Sequence, residues 1–404
     1  MSDFAVRAVE DSELRTASTV FLGSLHQAPL TDEKWAYWTR NYEPGRTLGA
    51  FADGQMIGTA LAWSSSLTVP GGAALPMAAV TAVGVRADHT RRGVLTELMR
   101  VQLADARDRG EPLAGLHASE AVIYGRFGYG LAVLSRNIRI TRRDARLRPE
   151  VPRAGEVRLL GNDEALGRVQ AGYDRVLGSR PGVMGRSAGW WVLAYEQRLA
   201  APDQHVRIAA HTGPDGVDGF ATYVVDGAPT MAAGENTSLF VRDFQAANQA
   251  AANGLWRYLL GVDLVEEVVA FSRPMDEPLE AILVDPRAVR ATFQEDLWLR
   301  LVDVPRALAG RTYGAAEPVV IEVRDRLLPA NSGRYRIGPH GTEPTTEPAG
   351  LAMDADVLAM LYLGAWRASA LAGTGRIEVA DAAAPARADR LFSTDAAPYC
   401  GTMF

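Results

Sequence analysis

The residues from Ala79 to Gly130 constrain the chain more than any other stretch. In order they read as strand, basic turn, helix, strand, short helix and turn. Val80 to Arg86 is apolar and β-branched at one end and holds a lone Gly84. A glycine inside a strand marks a bulge or a close approach of backbone. Arg91, Arg92 and Gly93 follow, and then Val94, Leu98 and Val101 repeat at i, i+4, i+7. Leu95, Met99 and Leu103 widen that stripe into a helix face, and Arg109-Gly110 supplies the stop. A helix start leaves backbone N–H groups pointing outward, where the dipole favours an anion. Basic residues and a glycine just ahead of it predict a pyrophosphate site beside a strand edge.

Two other phosphate sites fit the pattern less well, the P-loop not at all and a dinucleotide site weakly. No G-x-x-x-x-G-K-[ST] is present, and no G-x-G-x-x-G opens the helix. The arrangement resembles the acetyl-coenzyme A site of GCN5-related N-acetyltransferases (the GNAT superfamily), with Thr90 at the first basic position of that signature and Leu95 at its final small one. His117-Ala118-Ser119-Glu120 followed by Ile123-Tyr124-Gly125-Arg126-Phe127-Gly128-Tyr129-Gly130 resembles the enhanced intracellular survival (Eis) family of these enzymes. Thr90 to Leu95, Leu297-Trp298-Leu299-Arg300, Leu361-Tyr362-Leu363-Gly364-Ala365 and the aromatic Phe404 agree with it. The resemblance implies an α/β (α+β) architecture, with tandem GNAT-like acyltransferase domains followed by a sterol-carrier-like α+β domain.

At 404 residues the chain suits two or three domains. Its net charge of −6 argues against a nucleic-acid surface and suits cationic substrates, though it is also an ordinary solubility charge. The uncharged run from Gly54 to Val85 is broken by Ser64 to Ser66, Pro70, Gly71, Gly72 and Pro76, which predicts a hairpin rather than a membrane span. MSDFAVRAVEDSELR lacks a signal-peptide pattern. With Cys400 as the single cysteine no intrachain disulfide is possible, which suits a cytoplasmic protein. Six scattered histidines and no Cys/His cluster predict no metal site.

Along the chain, residues 1–147 read as the N-terminal, acetyl-CoA-binding unit, with helices near Ser12–Ser24 and Thr31–Asn41 and a closing strand over Ala132–Thr141. Residues 148–303 read as a second unit of similar order, ending in a strand at Leu297–Val302. There Asp243 to Ala246 stands where the phosphate turn would be, without glycine and with an added carboxylate, so no cofactor site is expected. Residues 304–404 form the last unit. It has strands at Val319–Val323 and Gly333–Ile337, a turn over Pro339–Pro348, and an apolar helix over Asp354–Leu371 capped by Asp354.

Acetyl transfer to an amine needs a polarised thioester, a fixed pantetheine, a neutral amine and a proton for the leaving thiolate. Backbone amides around Val83, Gly84 and Val85 suit the first two tasks. Arg91, Arg92, Gly93, Val94, Leu95 and Thr96 suit the pyrophosphate, and the resemblance implies Ser119 and Glu120 along the same cleft. Tyr124 is the candidate general acid, since a phenol stays protonated at neutral pH; packing is its other reading. Trp35 and Trp38 suit either the core or an aromatic wall for an amine-bearing substrate. His117 is expected to be structural and Cys400 a buried thiol. The family resemblance implies that the Phe404 carboxylate acts as the base, and the apolar run Pro398 to Phe404 predicts that this tail buries. Some relatives carry an acidic residue where this chain has Met403. The resemblance further implies acetyl-CoA as co-substrate, aminoglycoside-like or polyamine acceptors and a homo-hexamer. Acetylation of protein lysines, or a non-catalytic binding module on the same fold, stay open.

Overall fold

The computed structural model describes residues 3–200, 205–227 and 237–404. The first sheet begins with β1 (Ala5–Ala8), β2 (Thr47–Ala52), β3 (Gln55–Thr68), β4 (Ala74–Val85), β5 (Leu113–Leu116) and β6 (Gly130–Leu131). The second takes β7 (Leu134–Thr141), β8 (Glu156–Leu159), β9 (Arg207–Gly213), β10 (Gly216–Asp226), β11 (Ser238–Ala246), β12 (Glu267–Pro274) and β13 (Val289–Glu295). β14 (Trp298–Leu301) then returns to the first sheet, whose order is β1-β2-β3-β4-β5-β14-β6. The second has the order β13-β7-β12-β11-β10-β9-β8. Strands at Val319–Arg324, Gly333–Gly338, Gly341–Pro344, Leu351–Asp354 and Ile377–Val379 form a third, five-stranded sheet.

The strand order reverses two expectations. The strand foreseen as closing the first sheet, β7, lies in the second between β12 and β13, and the strand foreseen at the end of the second, β14, pairs with β5 and β6. Each sheet therefore contains a strand that the other segment supplies. β13 was not foreseen; its solvent-facing burial pattern leaves little apolar alternation to read.

Helices α1 (Leu14–Ser24), α2 (Asp32–Trp38), α3 (Val94–Asp108) and α4 (Ala121–Tyr124) accompany the first sheet. α3 buries Val94, Leu98, Met99, Gln102, Leu103 and Ala106, the face its spacing predicts. α5 (Asn162–Val176), α6 (Ala188–Trp191), α7 (Gln197–Ala200) and α8 (Gln249–Leu260) accompany the second. In the last unit, the helix foreseen over Asp354–Leu371 is two, Ala355–Tyr362 and Ala368–Gly373. Gly364 between them takes φ +88, where a Cβ would also stand 2.8 Å from Thr394 Oγ1. Asp354 occupies the cap position, but its side chain makes no capping bond. The turn foreseen over Pro339–Pro348 contains the strand Gly341–Pro344, paired to Tyr335–Gly338. Among the described residues no helix is long and apolar enough to cross a membrane.

Candidate active site

Two irregularities of the first sheet open a cleft. β3 and β4 pair Leu61↔Thr81 and Thr59↔Gly84, so Ala82 and Val83 oppose Ala60 alone. Ala82 takes φ +48, and the pair forms a β-bulge. On its other edge β4 pairs with β5 in parallel only from Met77↔Leu113 to Ala79↔Gly115. Beyond that the strands part, and β4 runs on through Val83, Gly84 and Val85. Gly84 has a separate reason to be glycine. A Cβ there would come 2.5 Å from Ser24 Oγ and 3.1 Å from Phe21 Cα, so its absence lets α1 lie against the strand.

The basic turn delivers its groups to the same end of the sheet. Arg91 (φ +62) and Gly93 (φ +86) both adopt left-handed backbone, and Arg91, Arg92 and Gly93 are exposed. Gly93 caps α3 with no side-chain bond, so the N–H groups of Val94, Leu95 and Thr96 have no acceptor within the helix. The helix start is seated on β3, since a Cβ on Gly58 would meet Val94 Cγ1 at 2.9 Å, and Gly58 pairs with Val85. Ser119 and Glu120 are exposed between β5 and α4. Tyr124 ends α4, buried and edge-on to Tyr129 at 6.0 Å, and burial pushes its phenol up to about 12. Trp35 is half-buried on α2 against Tyr42, with the Arg15 guanidinium 5.8 Å from its ring.

His117 stands two residues past Gly115, where β4 and β5 separate, and it holds the end of the chain. Its Nδ1 lies 3.0 Å from the Asp296 carbonyl and its Nε2 3.0 Å from the Thr402 carbonyl. Both partners only accept, so both bonds form together only with the imidazolium. The Asp296 carboxylate is 3.4 Å from Nδ1, and burial, eased by His117, pushes that carboxyl up to about 6. His117 thus has the structural role foreseen for it, tying the tail and the Asp296 segment together beside the cleft.

The rest of the tail is gripped by the second segment. Gln245 Nε2 donates to the Gly401 carbonyl at 3.0 Å, Arg186 Nε to Thr402 Oγ1 at 3.1 Å and Trp190 Nε1 to the Met403 carbonyl at 2.8 Å. Tyr399, Cys400 and Thr402 are buried, as the apolar run predicts, while Met403 is 62% exposed. Arg186 lies between the rings of Tyr173 and Trp190, at 3.9 and 4.1 Å, and forks onto Asp243 at 2.7 and 3.1 Å. Burial opposes the charge of both, yet each holds the other ionised: the Asp243 carboxyl stays below its usual range and Arg186 above its own. Asp243 to Ala246 is therefore not the turn expected from sequence. It lies within β11, and Asp243 pairs with a buried guanidinium.

The second sheet repeats the geometry of the first. β10 and β11 slip register at Arg242, between Thr222↔Asp243 and Tyr223↔Val241, and β11 and β12 part after Val241↔Ala270. Arg273 reaches into that wedge, donating to the Phe244 carbonyl at 2.9 Å and to Tyr399 Oη at 3.2 Å. The start of α8 is closed by Asn248, whose Oδ1 accepts from Ala251 N at 2.9 Å. Between the two sheets a cavity of about 140 Å³ is lined by His117, Asp243, Asp296, Tyr399, Thr402 and Met403, among others. A larger one, about 620 Å³, lies in the second segment against Tyr223, Arg257 and Tyr258, and none of the residues expected to act lines it.

A bulged strand, a splayed parallel pair and an uncapped basic helix start together define a GNAT acetyltransferase. Residues 5–132 and 182–301 each match an acetyltransferase (GNAT) domain family, and residues 304–401 match a sterol carrier protein domain. The chain is 39% identical to an uncharacterized N-acetyltransferase of Streptomyces coelicolor, over 85% of this chain and 84% of that one. It is 36% identical to N-acetyltransferase Eis of Mycobacterium tuberculosis, over 86% and 85%. The structure of Eis1 from Mycobacterium abscessus superposes with a TM-score of 0.90 at 37% identity, covering 99% of this chain and all of that one. The chain belongs to the Eis family of N-acetyltransferases, enzymes of the GNAT class that use acetyl-CoA as co-substrate.

Proposed function

We propose that this protein transfers the acetyl group of acetyl-CoA to a primary amine of an aminoglycoside-like or polyamine substrate. Residues 1–147 carry the catalytic cleft, 148–303 a GNAT-like unit without cofactor, and 304–404 the tail that supplies the base. The pyrophosphate is held by Arg91, Arg92 and the N–H groups of Gly93 to Thr96, with the pantetheine along Val83 to Val85 and Ser119 and Glu120 lining the cleft. The amine nitrogen attacks the thioester carbonyl, the C–S bond breaks, and the thiolate takes the Tyr124 proton. The Phe404 carboxylate accepts the proton that the amine gives up. The assembly that goes with this reading is a homo-hexamer.

One observation carries most of it. The tail bonds to His117 where β4 and β5 part, so the end of the chain meets the mouth of the cleft. At about 140 Å³ the cavity there admits one amine-bearing arm; of its two carboxyls Asp243 is paired with Arg186, which leaves Asp296 to face a cationic acceptor. Trp35, half-buried on α2, does not line that cavity; as an aromatic wall it would meet the substrate outside it, on the side where α2 packs against Val192–Glu196. The test is coenzyme A thiol release with a panel of tobramycin-like amines, polyamines and lysine peptides. Release driven by the first two classes, and a Tyr124→Phe variant slowed about 10²- to 10⁴-fold in kcat, support the reading. Release driven only by peptides, or an unslowed Tyr124→Phe, contradicts it.

A further inference from the structure

Three side chains from distant parts of the chain meet behind the acceptor cavity. One ring nitrogen of His117, one carboxylate oxygen of Asp296 and Cys400 Sγ all lie within 4.8 Å of one another. Asp296 is 3% exposed and Cys400 fully buried. We propose that His117, Asp296 and Cys400 bind a borderline divalent cation of the zinc class.

Two independent features ask for a cation there. The Nε2–H of His117 donates to the Thr402 carbonyl at 3.0 Å, and such a bond from the far nitrogen is the usual partner of a metal-ligating imidazole. In the neutral ring that bond leaves the Nδ1 lone pair facing two oxygens of Asp296, its carbonyl at 3.0 Å and its carboxylate at 3.4 Å. Only a proton or a metal between them removes that repulsion. Separately, Asp296 Oδ2 is buried and has no hydrogen-bond partner among the described residues, and an orphaned buried carboxylate oxygen calls for an ion, a water or a ligand.

The donor set selects the metal. Zinc takes His nitrogen at about 2.0 Å, carboxylate oxygen at about 2.1 Å and thiolate sulfur at about 2.3 Å. Bonds of those lengths put tetrahedral ligand atoms about 3.5 Å apart, so three atoms now within 4.8 Å of one another must draw together by up to about an ångström to close on the ion. A thiolate excludes magnesium and calcium, which need oxygen. Coordination releases the Cys400 proton to solvent and forms the S–metal bond, with His117 and Asp296 shared between the ion and the cavity wall. A cation so placed ties the tail to the first sheet and competes with the amine.

Cobalt is the probe, because Cys400 is the single cysteine and a sulfur-to-cobalt charge-transfer band reports it alone. The untagged full chain, stripped with chelator, should take up one Co2+ with that band, and Zn2+ should displace it. In calorimetry Cys400→Ser should remove the band and weaken Zn2+ binding about tenfold or more, and Asp296→Asn should weaken it as much while keeping the band. Absence of the band at millimolar Co2+, or equal Zn2+ affinity in all three proteins, overturns the site. Circular dichroism checks each variant; should Cys400→Ser fail to fold, Asp296→Asn and the native band decide. None of these readouts uses acetyl transfer, so this site and the catalytic reading fail separately.

Discussion

The His117 ring stands edge-on to the Phe404 ring, centroids 4.8 Å apart, while its Nε2 bonds the Thr402 carbonyl. One side chain of the first sheet thus fixes both the backbone and the last ring of a tail that the second segment grips from the other side. Truncating His117 to Ala removes a hydrogen bond and an aromatic contact, together about 2 kcal/mol. The expected loss is about 30-fold in kcat, with acetyl-CoA affinity unchanged in calorimetry. His117→Phe restores the ring contact alone and should recover part of it.

The Arg186–Asp243 pair is buried and carries two bonds to the tail. Leaving either charge alone in that site costs about 3–5 kcal/mol. Arg186→Met should therefore lower the midpoint of denaturant unfolding followed by tryptophan fluorescence, since Trp190 and Trp191 flank the site. Arg186→Lys should not rescue it, because an ammonium lacks the planar fork. The double variant Arg186→Met/Asp243→Leu should be more stable than Arg186→Met.

Asp296 gives a pH signature. Its carboxyl is raised by burial from 3.8 to about 6, so the fold favours the neutral form. That contribution is fully present below about pH 4 and is lost as pH rises through 6, a swing of about 3 kcal/mol at about 1.4 kcal/mol per pH unit. Asn cannot ionise. In chelator-treated protein, Asp296→Asn should gain stability over the native chain between pH 4 and 7.5 by up to that amount. A stability difference independent of pH would show that Asp296 does not titrate in this window.

Gly93 separates backbone conformation from space. A Cβ there meets nothing within 4 Å, yet its φ is +86. Gly93→Ala should therefore cost about 1–2 kcal/mol through backbone strain alone. If that strain shifts the uncapped N–H groups, acetyl-CoA affinity measured by calorimetry should fall about tenfold. Asn tolerates left-handed backbone and should lose less.

Local patterns made much of this legible in sequence. The α3 stripe, the glycine-marked strand and the broken apolar run at Ser64 to Pro76 each depend on residues close together, and each becomes the element expected. What stayed hidden depends on partners far apart. An alternating strand such as β7 carries a period but no address, so its place in the second sheet could not be read from it. Asp296 lies 179 positions from His117, and Cys400 further still, so spacing gave no sign of their meeting. Asp243, read in sequence as a carboxylate that keeps a phosphate away, pairs with Arg186, 57 positions distant.

The proposed catalysis turns on the carboxylate of Phe404, and lengthening the chain past it is the most direct test. A protein carrying a few extra residues after Phe404 should bind acetyl-CoA with native affinity in calorimetry and show at least a 100-fold lower kcat, as expected for losing a general base at about 10²- to 10⁴-fold. Turnover equal to that of the native chain, with acetyl-CoA binding intact, would remove the carboxylate from the chemistry.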